Sequence, residues 1–142
     1  MIHLENNSNI YLNLGVVGSR TFVDKDLIFA WLCRVNKDLG PFDKIITGDS
    51  QGADLIAESW AKGKNIETKI CYADWTTLGT KASFLRNISI IDNSDFVIAF
   101  WDGDSKGTAH AIRVTRMENK PLLVISKNGS NYELLSTIRF LD

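Results

Sequence analysis

Apolar positions along the chain switch between two rhythms. Ile10 to Val17 is a run rich in Leu, Val and Tyr that stops at Gly18-Ser19-Arg20, and it predicts a first strand. Ile28, Trp31, Leu32, Val35 and Leu39 then recur at three- and four-residue steps, the period of a helix. Asp24 is placed to cap the start of that helix and Gly40-Pro41 to end it. Lys44 to Thr47 reads as a short buried strand ending at Gly48, and Ala53, Ile56, Ala57, Trp60 and Ala61 define the next helix face, closed by Gly63. Glu67 to Tyr72 predicts a third strand, Ala73 to Gly79 a loop carrying Trp75, and Thr80 to Ile91 a helix with Phe84, Ile88 and Ile91 inward. Phe96 to Trp101 is apolar throughout, the mark of a strand covered on both faces. A polar loop, residues 102–108, leads into a helix ending near Asn119, and Pro121 to Ile125 is a fifth strand. Tyr132 to Leu141 is expected to form a short terminal helix or strand, and residues 1–9 a polar tail ahead of a single domain over residues 10–142.

Strands alternating with helices imply βαβ crossovers. The expected fold class is therefore α/β, a mainly parallel sheet of about five strands with helices on both faces. In such sheets ligands bind outside the carboxyl ends of the strands. That rule nominates the residues just after each strand: Gly18 to Arg20, Gly48 to Asp54, Ala73 to Trp75, and Trp101 to Thr108.

Composition narrows the function classes. The 142 residues are 44% hydrophobic and 23% charged, which excludes a disordered chain. Sixteen Lys and Arg against seventeen Asp and Glu leave a net charge of −1, so no bulk positive field favours nucleic acid. Two cysteines, Cys33 and Cys71, are too few for a disulfide scaffold or a four-Cys zinc site, and both are expected as buried free thiols. No apolar run approaches the length of a membrane span. Met1 to Asn9 lacks the basic and apolar regions of a signal peptide. The expectation is a cytoplasmic protein with no membrane partner, no metal and no resident cofactor.

The loops after the strands carry the candidate chemistry. Gly103-Asp104-Ser105-Lys106-Gly107-Thr108 opens a helix, where unpaired amides and a partial positive charge suit a phosphate. Gly107 permits close approach, the amides of Gly107, Thr108 and Ala109 are expected to open the helix, and the Ser105 and Thr108 hydroxyls can donate to phosphate oxygens. Gly48-Asp49-Ser50-Gln51-Gly52-Ala53-Asp54 is a second such loop, in which Asp54 either fixes the loop or meets the ligand. Neither loop contains the Gly-Lys-Ser/Thr of a Walker A sequence, and Gly15 to Gly18 does not complete a dinucleotide fingerprint. Arg20 and Arg86 are candidate phosphate clamps, and Trp75 and Trp101 candidates for stacking on a base. His110 is a weaker candidate for proton transfer, and Asp102 with Asp104 for holding Mg²⁺ together with ligand phosphates.

Taken together, these segments resemble a known family. Gly18-Ser19-Arg20, Thr47 to Asp54 with Ala57 and Trp60, Leu85-Arg86-Asn87, Ser94-Asp95, and Trp101-Asp102-Gly103 through Thr108 are similar to the YspA-like branch of the SLOG superfamily, in order and over residues 12–126. That superfamily includes the LOG phosphoribohydrolases and the DprA/Smf core. The resemblance implies a Rossmann-like sheet whose Gly-rich loops hold nucleotides or ADP-ribose-type molecules, and it implies homo-oligomers. Gly18, Ser19, Arg20, Gly48, Asp49, Ser50, Gly52, Asp54, Trp75, Arg86, Asn87, Trp101, Asp102, Gly103, Ser105, Gly107 and Thr108 are the ligand-binding residues expected on these combined grounds.

Two departures shape the functional expectation. LOG enzymes carry a catalytic Glu three residues after the corresponding Thr, whereas Thr108 is followed by Ala109, His110 and Ala111. N-glycosidic cleavage needs such a carboxylate. Asp49 stands where many relatives have a small residue, and a carboxylate there repels phosphate unless it meets a ribose hydroxyl, a role open to Asp49 and Asp54. The leading expectation is a module that binds a nucleotide-derived ligand without converting it, as a sensor or as a sequestering protein of the phage counter-defence kind. The chain shows no effector segment, which is the ground for sequestration. The alternative is a nucleotide or N-glycoside hydrolase built on Asp54, Arg86 and His110. Single-stranded nucleic acid binding through Lys81, Arg86, Lys106, Arg113, Arg116 and Lys120 ranks last, given the net charge.

Overall fold

A computed structural model describes residues 2–4, 13–129, 131–134 and 138–140. The elements run β1 (Ile2–Leu4), β2 (Asn13–Gly18), α1 (Lys25–Leu39), β3 (Lys44–Gly48), α2 (Ala53–Gly63), β4 (Glu67–Cys71), α3 (Trp75–Leu78), a 3₁₀ turn (Gly79–Lys81), α4 (Ala82–Asp92), β5 (Phe96–Phe100), α5 (Lys106–Met117), β6 (Leu122–Ile125), β7 (Asn131–Leu134) and β8 (Ile138–Phe140). Six strands form the main sheet in the order β4-β3-β2-β5-β6-β7. The first five are parallel, and β7 joins β6 antiparallel. The fold is Rossmann-like α/β.

The alternation of side chains along buried strands sorts the core into two layers. Leu14, Val16, Ile45, Phe96, Ile98 and Phe100 face α1 and α2, joining Ile28, Leu32, Val35 and Trp60. Val17, Ile46, Val97 and Ala99 face the other way, against Ile90 and Ile91 of α4 and Ala111 and Ile112 of α5. Every residue of β5 is buried, as its unbroken apolar run predicts. Asp24 caps α1 by accepting the Leu27 amide at 3.1 Å, and Gly40 ends it with its own amide on Asn36 O.

β2 lies at the centre of the sheet. The chain leaves it through α1 to β3 on one side, and returns from β4 through α4 to β5 on the other. The carboxyl ends of β2 and β5 therefore flank a topological switch point, where diverging loops leave a crevice.

The structure corrects several expectations. The first strand begins at Asn13, and residues 10–12, where its start is expected, lie outside the described residues. Within the expected tail, Ile2–Leu4 pairs antiparallel with Ile138–Phe140; residues 5–9 lie outside the described residues. Of the two options for the C-terminal segment, strand is the outcome at both described stretches, and β7 raises the main sheet to six strands. The expected loop at 73–79 contains α3, capped by the Asp74 carboxylate on the Thr77 amide at 3.2 Å. The 3₁₀ turn delays α4 and shifts its inward face to Ala82, Asn87, Ile90 and Ile91. Phe84, expected inward, is exposed and lies against the His110 ring at 4.5 Å, while Ile88 is half-buried. Cys71 is buried, but Cys33 is exposed, on the solvent side of α1, where its sulfur accepts the Trp60 Nε1 hydrogen at 3.2 Å.

Candidate functional site

The four loops nominated by sequence meet over the switch point and enclose a cleft of about 360 Å³. Gly18, Arg20 and Thr21 line it from the β2 loop, Ser50 and Asp54 from the β3 loop, and Trp75 from α3. Ser83, Arg86 and Asn87 of α4 close one wall; Asp102, Ser105, Gly107 and Thr108 close the other.

The wall at β5–α5 is organised by hydrogen bonds. Asp102 Oδ1 accepts the amides of Asp104 and Ser105, both at 2.8 Å, and Oδ2 accepts the Thr21 hydroxyl at 2.6 Å. Burial pushes the Asp102 carboxyl up, but the bonds from Thr21 and from the Ser105 and Asp104 amides outweigh it and hold its pKa down at about 2. Ser19 hydroxyl accepts the Asp102 amide at 3.1 Å and contacts the Thr108 hydroxyl at 3.3 Å, which in turn contacts the Ser105 hydroxyl at 3.1 Å. The three hydroxyls thus tie the β2 loop to the start of α5.

α5 begins one residue earlier than the Gly107-Thr108 pair suggests, with Ser105 as its cap. Ser105 Oγ accepts the Thr108 amide at 3.2 Å, and Ser105 O accepts the Ala109 amide at 3.1 Å. Of the three amides expected to face a ligand, only that of Gly107 stays unengaged among the described residues. Lys106, the first helical residue, offers a second. A Cβ built on Gly107 would meet nothing within 4 Å, so the cleft is open at this point. Asn87 holds the same residue from behind, its Nδ2 donating to Gly107 O at 3.0 Å.

The opposite wall centres on Arg86, whose side chain is 9% exposed. Its Nη1 donates to Asp49 Oδ1 at 2.8 Å. Asp54 is 4% exposed, and burial pushes its carboxyl up to about 7 against the lowering pull of Arg86 and of the Ser50 amide. Asp54 Oδ1 and Arg86 Nε are both shielded from solvent without a hydrogen-bond partner. Gly48 makes room for this pair: a Cβ there would come 2.6 Å from Asp54 Oδ2 and 3.2 Å from Arg86 Nε. Gly52 turns the loop with φ +79° and packs on the Ser19 and Arg20 carbonyl oxygens, where a Cβ would sit 2.6 Å away.

Eleven of the seventeen expected residues line the cleft. Ser19, Gly48 and Gly52 stand behind it as buried supports, and Asp49 sits at its margin on Arg86. Trp101 turns from the cleft and donates its Nε1 hydrogen to Ser105 O at 3.1 Å; Gly103 shapes the exposed turn with φ +89°. His110 lies against Phe84 and is not in the lining; burial, then Arg113, lowers its pKa. Thr21, Ser83 and Val17 line the cleft without having been expected there. Thr21 had a signal, since it follows Arg20 at the end of a strand. Ser83 had none, because only the 3₁₀ turn brings the start of α4 to the cleft. Among the described residues there is no cluster of His, Cys, Asp or Glu suited to a metal, and no helix long and apolar enough to cross a membrane.

A parallel sheet with a Gly-rich cleft at its switch point defines a Rossmann-like protein with a ligand-sized cleft at the carboxyl edge. Comparison with known proteins agrees. A family model described as the YspA, cpYpsA-related SLOG family matches residues 15–77. The gene 61 protein of Mycobacterium phage D29 is 31% identical over 115 residues, covering 76% of this chain and 91% of that protein. The chain belongs to the YspA, cpYpsA-related SLOG family. Its fold is also that of DNA processing protein A from Helicobacter pylori, whose structure was described for its single-stranded DNA binding mode. The TM-score is 0.62 at 20% identity, over 80% of this chain, which spans 65% of that chain.

Proposed function

We propose that the cleft binds a nucleotide or ADP-ribose-derived small molecule and holds it without converting it, as a sensor or sequestering module. One observation carries this reading. Gly107, with its unengaged amide at the start of α5, and the half-exposed Trp75 ring border a single cleft, along with Arg20. The helix start and Arg20 suit a phosphate, and the ring suits a base. Binding without turnover is supported by Ala111, which is fully buried in the core where LOG enzymes carry their glutamate, so α5 sends no carboxylate into the cleft from that position. The similar chain in a Mycobacterium phage supports the sequestering form of the reading. The ligand-binding assignment of the seventeen residues and homo-oligomer formation belong to the same proposal.

The test is a thermal-shift series with AMP, NAD, ADP-ribose, its cyclic isomers and cyclic dinucleotides, followed by chromatography of each ligand. A ligand at 100 times its Kd adds about 2.7 kcal/mol, a rise of several degrees. A shift with the ligand recovered intact is expected. A converted ligand would make the protein a hydrolase, and no shift with any of them would overturn the reading.

A further inference from the structure

We infer that Asp54, with Arg86, is the specificity-determining corner of the cleft and reads a hydroxyl of the ligand, which makes the ligand class a ribonucleotide rather than a deoxyribonucleotide. The inference rests on the proposed nucleotide reading and narrows it.

Two carboxylates flank Arg86, and they differ in what they have left to offer. Asp49 is committed, with Oδ1 accepting from Arg86 Nη1 at 2.8 Å. Asp54 is the more deeply buried, lines the cleft, and keeps Oδ1 without a partner. Arg86 likewise lines the cleft and keeps Nε without a partner. Asp54 Oδ2 and Arg86 Nε converge on Gly48, within 2.6 and 3.2 Å of the place a Cβ would take there. The two side chains that meet at Gly48 therefore hold one unused acceptor, Asp54 Oδ1, and one unused donor, Arg86 Nε, both away from water, where unmade bonds are costly.

The chemistry of the complement follows. A phosphate oxygen accepts only; with Asp54 ionised it would serve Nε but leave Oδ1 unpaired and face two carboxylates. An ammonium donates only and would be repelled by Arg86. A hydroxyl does both, donating to Asp54 Oδ1 while accepting from Arg86 Nε, and a small turn of the two side chains brings them to it. The anionic part of the ligand is then left for the start of α5 across the cleft. Asp49 acts as a positioning residue, holding the guanidinium by Nη1 so that Nε faces Asp54.

The experiment measures the affinities of AMP, 2′-deoxyAMP, 3′-deoxyAMP and inorganic phosphate by calorimetry, on the wild type and on Asp54→Asn. AMP is expected to bind at least about tenfold more tightly than one of the two deoxy forms, the size of a lost bond to a charged group. Asp54→Asn is expected to shrink that ratio by weakening AMP, while leaving affinity for the weaker deoxy form, which lacks the hydroxyl in question, nearly unchanged. Equal binding of AMP and both deoxy forms to the wild type would overturn the hydroxyl assignment and leave nucleotide binding standing. Discrimination that survives in Asp54→Asn would overturn the role of Asp54. Failure of all three nucleotides to bind would overturn this inference, and the thermal-shift series then decides the nucleotide reading separately. The wild-type comparison needs no variant to fold.

Discussion

Arg86 donates to Asp49 at 2.8 Å yet leaves its Nε unpaired beside Asp54, the more deeply buried of its two acidic neighbours. One guanidinium between two carboxylates compensates one of them. Desolvation accordingly dominates at Asp54 and raises its pKa to about 7.

That shift makes stability depend on pH with a definite sign. The folded chain holds the Asp54 proton more tightly than the unfolded chain does. The stability this proton contributes is complete below about pH 4 and is lost as pH rises towards about 7, an effect of up to about 4 kcal/mol. Asp54→Asn removes the titration. The wild-type Tm should fall relative to the variant between about pH 4 and about pH 7, and parallel melting curves would show a carboxylate ionised throughout. Asp102 acts in a separate window. With its pKa held at about 2, its contribution is present above about pH 4 and is lost on acidification below it.

Gly52 and Gly107 should separate folding from binding. Gly52→Ala forces a Cβ against two carbonyl oxygens at a positive φ, and a loss of about 1–3 kcal/mol is expected in denaturant melts. Gly107→Ala meets open space in a helix and should be neutral or stabilising by up to about 1 kcal/mol. Gly107 lines the cleft, so the same methyl should weaken the ligand found by thermal shift about tenfold or more. Unchanged affinity would place the ligand elsewhere.

Thr108→Val removes the middle hydroxyl of the Ser19–Thr108–Ser105 chain at nearly constant volume. The buried Ser19 hydroxyl and the part-buried Ser105 hydroxyl each keep a backbone amide but lose a hydroxyl partner, so a loss of about 1–3 kcal/mol is expected in chemical unfolding. A change under about 0.5 kcal/mol would mean that the chain does not fasten the β2 loop to α5.

Trp75 is about half exposed at the cleft mouth, whereas Trp101 is tied to Ser105 O. Ligand binding should quench fluorescence in the wild type and not in Trp75→Phe. Trp75→Ala should lose about 1–3 kcal/mol of affinity, as for base–aromatic stacking. Equal quenching in both proteins would move the ring contact to another residue.

A small ligand and a nucleic acid strand differ in salt response. Arg86 is held by Asp49, and Lys120 by Ile91 O and Glu118, which interrupts the basic series suggested by sequence. Nucleotide affinity should fall less than about tenfold between 50 and 200 mM salt, against roughly a thousandfold for a protein with six phosphate contacts. Tight, steeply salt-dependent binding of an oligo-dT would favour the strand.

The sequence by itself determined the layered architecture and the edge at which the cleft lies. Periodicity distinguishes the strands from α1 and α2, the apolar run Phe96 to Phe100 requires cover on both faces, and strand-to-helix loops of Gly, Ser and Asp mark the carboxyl edge. These are local signals, carried by neighbours in the chain. Tertiary structure decided which side chains of those loops are spent on one another. Ser19, Thr108 and Ser105 are far apart in sequence or ambiguous in role, and only the approach of β2 to α5 turns them into a hydroxyl chain. Likewise, the 37-residue separation of Asp49 and Arg86 conceals their ion pair, and nothing local separates Asp49 from Asp54. The phase of α4 was also not local, since the 3₁₀ turn before it sends Phe84 outward and Ser83 to the cleft. Pairing across the cleft depends on how crossovers stack on the sheet, and that is a property of the whole chain.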